Sequence, residues 1–162
     1  MPISDPLQIL LAHDRWADRE LVDACAGLSD DQLHRRFEMG MGSLHDNLVH
    51  MATAMRVWGD VLRRGEVRPR LEGQRKTVAE IRELFDGACA DLAILATGEP
   101  LDAMVSRTRD GVTIELTRGG VLMQVLTHGM HHRAQCLNML RQIGAKQPPS
   151  AVIEWIRAGE PA

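Results

Sequence analysis

Apolar residues recur at alternating intervals of three and four along most of this chain, and that spacing restricts it to packed helices. Over residues 44–62 the stripe is Leu44, Leu48, Met51, Met55, Trp58 and Leu62. Over residues 78–95, Val78, Ile81, Phe85, Ala88, Leu92 and Leu95 repeat with a seven-residue period, the mark of bundle packing. A first stretch carries Leu7, Leu10, Ala17, Leu21 and Ala24, with Asp14 interrupting the same face. A last one carries Val121, Val125, Cys136, Met139 and Ile143. Each stripe must be buried against other helices.

Capping residues set the boundaries. Ser4 is the expected cap of the first helix, with Pro6 in its first turn and Gly27 after its last apolar residue. "SDDQ" at 29–32 caps one short turn, and Ser43 opens a second long helix reaching about Gly65. "TVAE" at 77–80 is a capping box for the third, and the polar link before it, "GEVRPRLEGQRK", is expected to be exposed. Residues 104–117 break the pattern: Val112, Ile114 and Leu116 alternate with polar residues after an Asp-Gly pair, which reads as a β-hairpin. The fourth long helix runs from about Gly120 to Ile143, and "PPSAVIEWIRAGE" supplies a short terminal one. The expected fold is all-α: a four-helix bundle over a single domain, residues 1–162, with a small β-hairpin before the last long helix and a short C-terminal helix.

Composition removes several functions. A net charge of −3 argues against a nucleic-acid partner, whose phosphates demand clustered Lys and Arg. No apolar run approaches the roughly 18–20 residues that cross a bilayer, so no membrane association is expected. The opening residues lack a basic lead and a small-residue cleavage site, so no signal peptide is expected. Cys25, Cys89 and Cys136 are odd in number and widely spaced, which fits reduced, buried thiols in a cytoplasmic protein.

The chemistry gathers in "HGMHHRAQ", residues 128–135. At about 100° per residue, His132 falls inside the roughly 60° core sector of its helix and His128 about 20° from the edge. His131 points some 100° away, beside Gln124, Asn138 and Gln142. Two inward imidazoles one turn apart can share a metal ion, and a third ligand must come from a facing helix. His50, at the edge of the second helix's stripe, is the best candidate. His45 is rotated about 140° from it and is expected to be exposed, as is His34. His13 stands beside the first stripe, where it either lines a pocket mouth or is exposed. Asp14, on an apolar face, is costly to bury without a partner. It is a candidate for orienting an imidazole, with Gln135 a weaker one.

Four segments together resemble the DinB/YfiT-like family of metal-binding four-helix proteins: "HDRWAD", "GSLHDNLVHMATAMRVW", "HGMHHRAQ" and "LRQIGAKQPPSAVIEWI". The resemblance implies His50, His128 and His132 as the ligands. It also implies a homodimer, and activities among relatives that include transferases and isomerases using low-molecular-weight thiols. Three departures stand out: Met55 replaces an acidic residue common in relatives, Ala134 turns RGQ into RAQ, and Ser150 or Ala151 stands where an Asp is common. The family shares its name with an unrelated DNA polymerase, whose size and carboxylate-bearing palm this chain lacks.

Three neutral imidazoles leave a divalent ion with open positions, the layout of a catalytic rather than a structural site. Nitrogen donors suit zinc or nickel, with iron also compatible. Such an ion acidifies water, which leads to hydrolysis, or a thiol, which leads to sulfur transfer. The sequence therefore supports three readings: a metal-dependent thiol S-transferase acting on a small molecule in detoxification or stress, a metal-dependent hydrolase, or a non-catalytic metal-binding stress protein. No catalytic acid or base is assigned beyond the metal.

Overall fold

The computed structural model describes residues 3–161. Four long helices form a ring: α1 (Pro6–Ala26) packs on α4 (Val78–Gly98) and α5 (Arg118–Gln142), and both of these pack on α3 (Leu44–Leu62). The short α2 (Asp30–His34) lies against α3, and α6 (Val152–Arg157) lies against α1. Between α4 and α5 the hairpin β1 (Met104–Arg109) and β2 (Val112–Thr117) pairs antiparallel, Arg109 facing Val112. None of the helices is long and apolar enough to cross a membrane among the described residues.

The caps explain where the helices begin. Ser29 with Gln32 and Thr77 with Glu80 form reciprocal capping boxes, and the Ser43 side chain accepts the Asp46 N–H. At α1 the cap is Asp5, one residue later than expected; its carboxylate accepts the Gln8 N–H at 2.9 Å. Pro6 is the reason, because proline favours the first helical position and holds the residue before it extended. At the other end of α3 the chain turns through Arg64, whose φ of 54° is left-handed, so the helix stops before Gly65. The hairpin turn is a two-residue type I′, with φ of 51° at Asp110 and 77° at Gly111.

Leu48, Met51, Phe85, Leu92, Val121 and Met139 fill the centre, all buried as their stripes require. At one end Arg118 is buried and donates to the carbonyls of Leu62 (2.9 Å) and Leu95 (2.5 Å). It thus places a cation on the C-terminal turns of two helices, where the helix dipole is negative. Trp155 of α6 is buried with Trp16 and Ala17 of α1, tying the tail to the bundle.

The hairpin is largely exposed, and two expectations about exposure fail. Only Val105 and Leu116 of the hairpin reach the core; Val112 and Ile114 share the alternation but project beyond the helices into solvent. His45 is buried, and His34 half-buried: the rings stack at 4.5 Å between centroids, and His45 accepts the Lys76 N–H at 3.1 Å. Segments outside the bundle cover His45, which a wheel of α3 alone does not register. The link before α4 is not uniformly exposed either. Arg68 pairs with buried Asp60, Arg56 donates to the Pro69 carbonyl, and these anchors lay Leu71 and Glu72 half-buried against α3.

Candidate metal centre

His50 on α3 and His128 and His132 on α5 converge where these two helices pack. Their ring centroids lie 4.5 to 4.9 Å apart, and one nitrogen from each falls within 4.8 Å of the others. His132 is buried, and His50 and His128 are half-buried. The two residues that the helical arithmetic turned inward are thus brought to the residue expected from the facing helix.

For two of the rings the far side determines the tautomer. Asn47 donates its amide N–H to the Ser43 carbonyl (2.8 Å), so its Oδ1 faces His132 Nδ1 at 3.1 Å. Gln135 donates to His131 Nε2 (2.9 Å), which turns its Oε1 to His132 Nδ1 at 2.8 Å. Both partners are acceptors, so His132 Nδ1 carries the hydrogen and Nε2 is left as a lone pair. His50 Nδ1–H donates to the Glu72 carboxylate at 2.9 Å, freeing Nε2 in the same way. Metal-bound histidines are typically held like this, by a carboxylate or carbonyl on the remote nitrogen.

His50 Nε2 and His128 Nε2 are 3.1 Å apart. Two lone pairs at that distance repel unless a proton or cation lies between them. Two metal–nitrogen bonds of about 2.05 Å at a tetrahedral angle would set the nitrogens about 3.3 Å apart. The donor set therefore fits a divalent ion. Burial and the neighbouring His132 and His50 push His128 down to about 4, and burial with His50 also lowers His132. At neutral pH the lone pair of His128 is thus available to a metal.

The loop before α3 supports this arrangement by coming very close. Gly40 adopts φ of 54°, and a Cβ there would lie 2.5 Å from both Asn47 Oδ1 and Gln135 Oε1, the two acceptors that hold His132. Only glycine meets both demands.

The remaining candidates sit elsewhere. His131 is exposed, its ring 5.1 Å from His132, and linked to it through Gln135. Asp14 is buried, and among the described residues its hydrogen-bond partner is a guanidinium rather than one of the three converging imidazoles. It accepts from Arg133 at 2.9 Å, while Asp18 accepts from the same guanidinium at 2.6 Å. Burial and the adjacent Asp14 raise Asp18 to about 7, and burial raises Asp14. Arg133 follows His132 directly, so this trio ties α5 to α1 behind the imidazoles. His13 is buried against Trp16 and Trp155 and bonds the Ser150 carbonyl at 2.9 Å, fastening the tail rather than lining a pocket at the triad.

The DinB family model matches residues 3–158, nearly the whole chain. The chain belongs to the DinB family. No curated protein matches the sequence well enough to add a relative. As a DinB protein it combines the expected helical fold with three histidines placed to hold a metal ion. Sequence reasoning missed Glu72, Asn47, Asp18 and Arg133. Asp18 had a signal, since it follows Asp14 by one turn. Glu72 had none, because it lies in an aperiodic link.

Proposed function

We propose that this DinB protein is a metal-dependent enzyme that activates a low-molecular-weight thiol for transfer to a small electrophile in detoxification or stress. His50, His128 and His132 would hold one zinc or nickel ion. The observation that carries the reading is the arrangement of nitrogens: three imidazoles offered together, two with their remote nitrogens already committed to Glu72, Asn47 and Gln135. When bound, the ion supplies Lewis acidity toward a thiol S–H or a water O–H.

The chain's own residues do the rest. Glu72 keeps a negative charge against His50 Nδ1–H, which orients that ring and leaves its Nε2 free as a donor. Gln135 holds His132 through its Oε1 and His131 through its amide N–H, which fixes the two rings side by side at the site. The thiol proton passes to solvent, the carbon–sulfur bond forms at the electrophilic carbon, and that carbon's bond to its leaving group breaks, the leaving group departing with the electron pair. Homodimerisation accompanies this reading through the family resemblance, and a cytoplasmic setting through the three free cysteines.

Cobalt substitution tests it. A small thiol added to the cobalt-loaded protein should give an intense sulfur-to-metal charge-transfer band, and the same thiol should be consumed when an electrophile is supplied. If no thiol gives the band while ester or amide cleavage depends on the metal, the hydrolase reading replaces this one. If neither activity is found in a fully loaded protein, the metal is structural.

A further inference from the structure

A second feature lies between α1 and α4, away from the imidazoles. Where two long helices face each other, leucines ordinarily interdigitate and leave no void. Here Ala12 on α1 and Ala93 on α4 are among the facing residues, and a cavity of about 140 Å³ remains. Its walls are Leu11, Ala12, Leu92 and Ala93, with Met55 of α3 contributing from beneath. An apolar cavity of roughly 150 Å³ is enough to hold a benzene ring.

The polar groups of this cavity are few and unequal. Asp14 is at its deep end, almost fully buried, with its charge answered by Arg133 at 2.9 Å. Arg15 lines the half-buried outer part, next to Gln8. The Nε of Arg15 is buried and has no hydrogen-bond partner among the described residues. A buried donor left without an acceptor is costly, and it belongs to a side chain that lines the cavity. Apolar walls with a small number of convergent polar groups are what small-molecule sites are made of. A guanidinium is suited to a planar carboxylate, which it can grip with two parallel hydrogen bonds.

We propose that the α1–α4 cavity is a binding site for a small monocarboxylate whose ring-sized apolar body lies against Ala12, Ala93 and Met55 and whose carboxylate meets Arg15. Asp14 at the deep end selects against a second negative charge on the ligand. The site is independent of the histidine triad and stands whether or not a metal is held there.

Benzoate is the probe, titrated into the full-length protein by calorimetry and saturation-transfer NMR. Each titration is run with and without a chelator, so that metal–carboxylate coordination is separated from binding in the cavity. The expected result is saturable binding of one benzoate per chain that survives the chelator. Benzyl alcohol, of the same shape but uncharged, should bind about tenfold more weakly, and Arg15→Gln should weaken benzoate by about the same factor. Ala93→Leu, at an exposed position that tolerates the larger side chain, should fill the cavity and abolish binding while the circular dichroism stays unchanged. Absence of binding to the wild type, or equal binding to both variants, overturns the proposal. So does loss of benzoate with the chelator, or tighter binding of benzylamine, which would make Asp14 the recognising group.

Discussion

Glu72 Oε1 lies 2.9 Å from His50 Nδ1, and this contact joins an otherwise irregular interhelical link to the candidate metal centre. The link is held down by Arg68 on Asp60 and by Arg56 on the Pro69 carbonyl, so the carboxylate arrives at the imidazole by way of α3's own side chains.

Glu72→Ala should therefore weaken zinc binding about 10- to 100-fold without loss of helix content, the usual consequence of removing an outer partner from a liganding histidine. Competition with a chromophoric chelator measures it. Unchanged affinity would mean that Glu72 only pins the link.

Gly40→Ala should destabilise the protein by about 1–3 kcal/mol, since alanine at a left-handed φ is strained and its Cβ would press on Asn47 and Gln135. The same variant should move the His132 imidazole resonances, because both acceptors of its Nδ1–H are displaced. Strain without any change at His132 would separate the loop from the site.

Arg118→Met should cost about 2–4 kcal/mol in urea unfolding, by stripping two helix-end carbonyls of a buried charged donor. A loss below about 0.5 kcal/mol would show that water replaces the guanidinium readily.

Asp18 sets a pH dependence of defined sign. Its carboxyl is raised from 3.8 to about 7 in the folded protein by burial and by Asp14, so the folded state holds a proton that the unfolded state has released. Its contribution to stability is therefore greatest below pH 3.8, falls as pH rises to about 7, and is constant above. The stability difference between wild type and Asp18→Asn, followed by denaturant unfolding at successive pH values, should decline over that window. A difference that stays level would place Asp18 as a permanent carboxylate paired with Arg133.

The bundle and the central imidazoles were legible because both follow from periodicity. One turn of α5 separates His128 from His132, and the stripe containing Val125, Cys136 and Met139 tells which way they point. What was not legible depends on contacts made by segments without a period. His45 is covered by His34 and by the backbone at Lys76, neither of which belongs to its helix. Glu72 reaches His50 because Arg68 and Pro69, four and three residues before it in the link, are held by Asp60 and Arg56 of α3. Asp14 stands out in the sequence as a carboxylate on an apolar face, but periodicity does not name its partner: Arg133 neutralises it, with Asp18 sharing the guanidinium. Val112 and Ile114 show the converse, since alternation specifies a strand's two faces without guaranteeing that anything covers one of them.

The most direct test of the central claim is elemental analysis of protein purified without a histidine tag, wild type beside His132→Ala. The account predicts close to one first-row metal ion per chain in the wild type, and its loss in the variant, whose circular dichroism should remain helical. A wild type that holds no ion after incubation with zinc and with nickel would contradict it, as would a variant that retains the full complement.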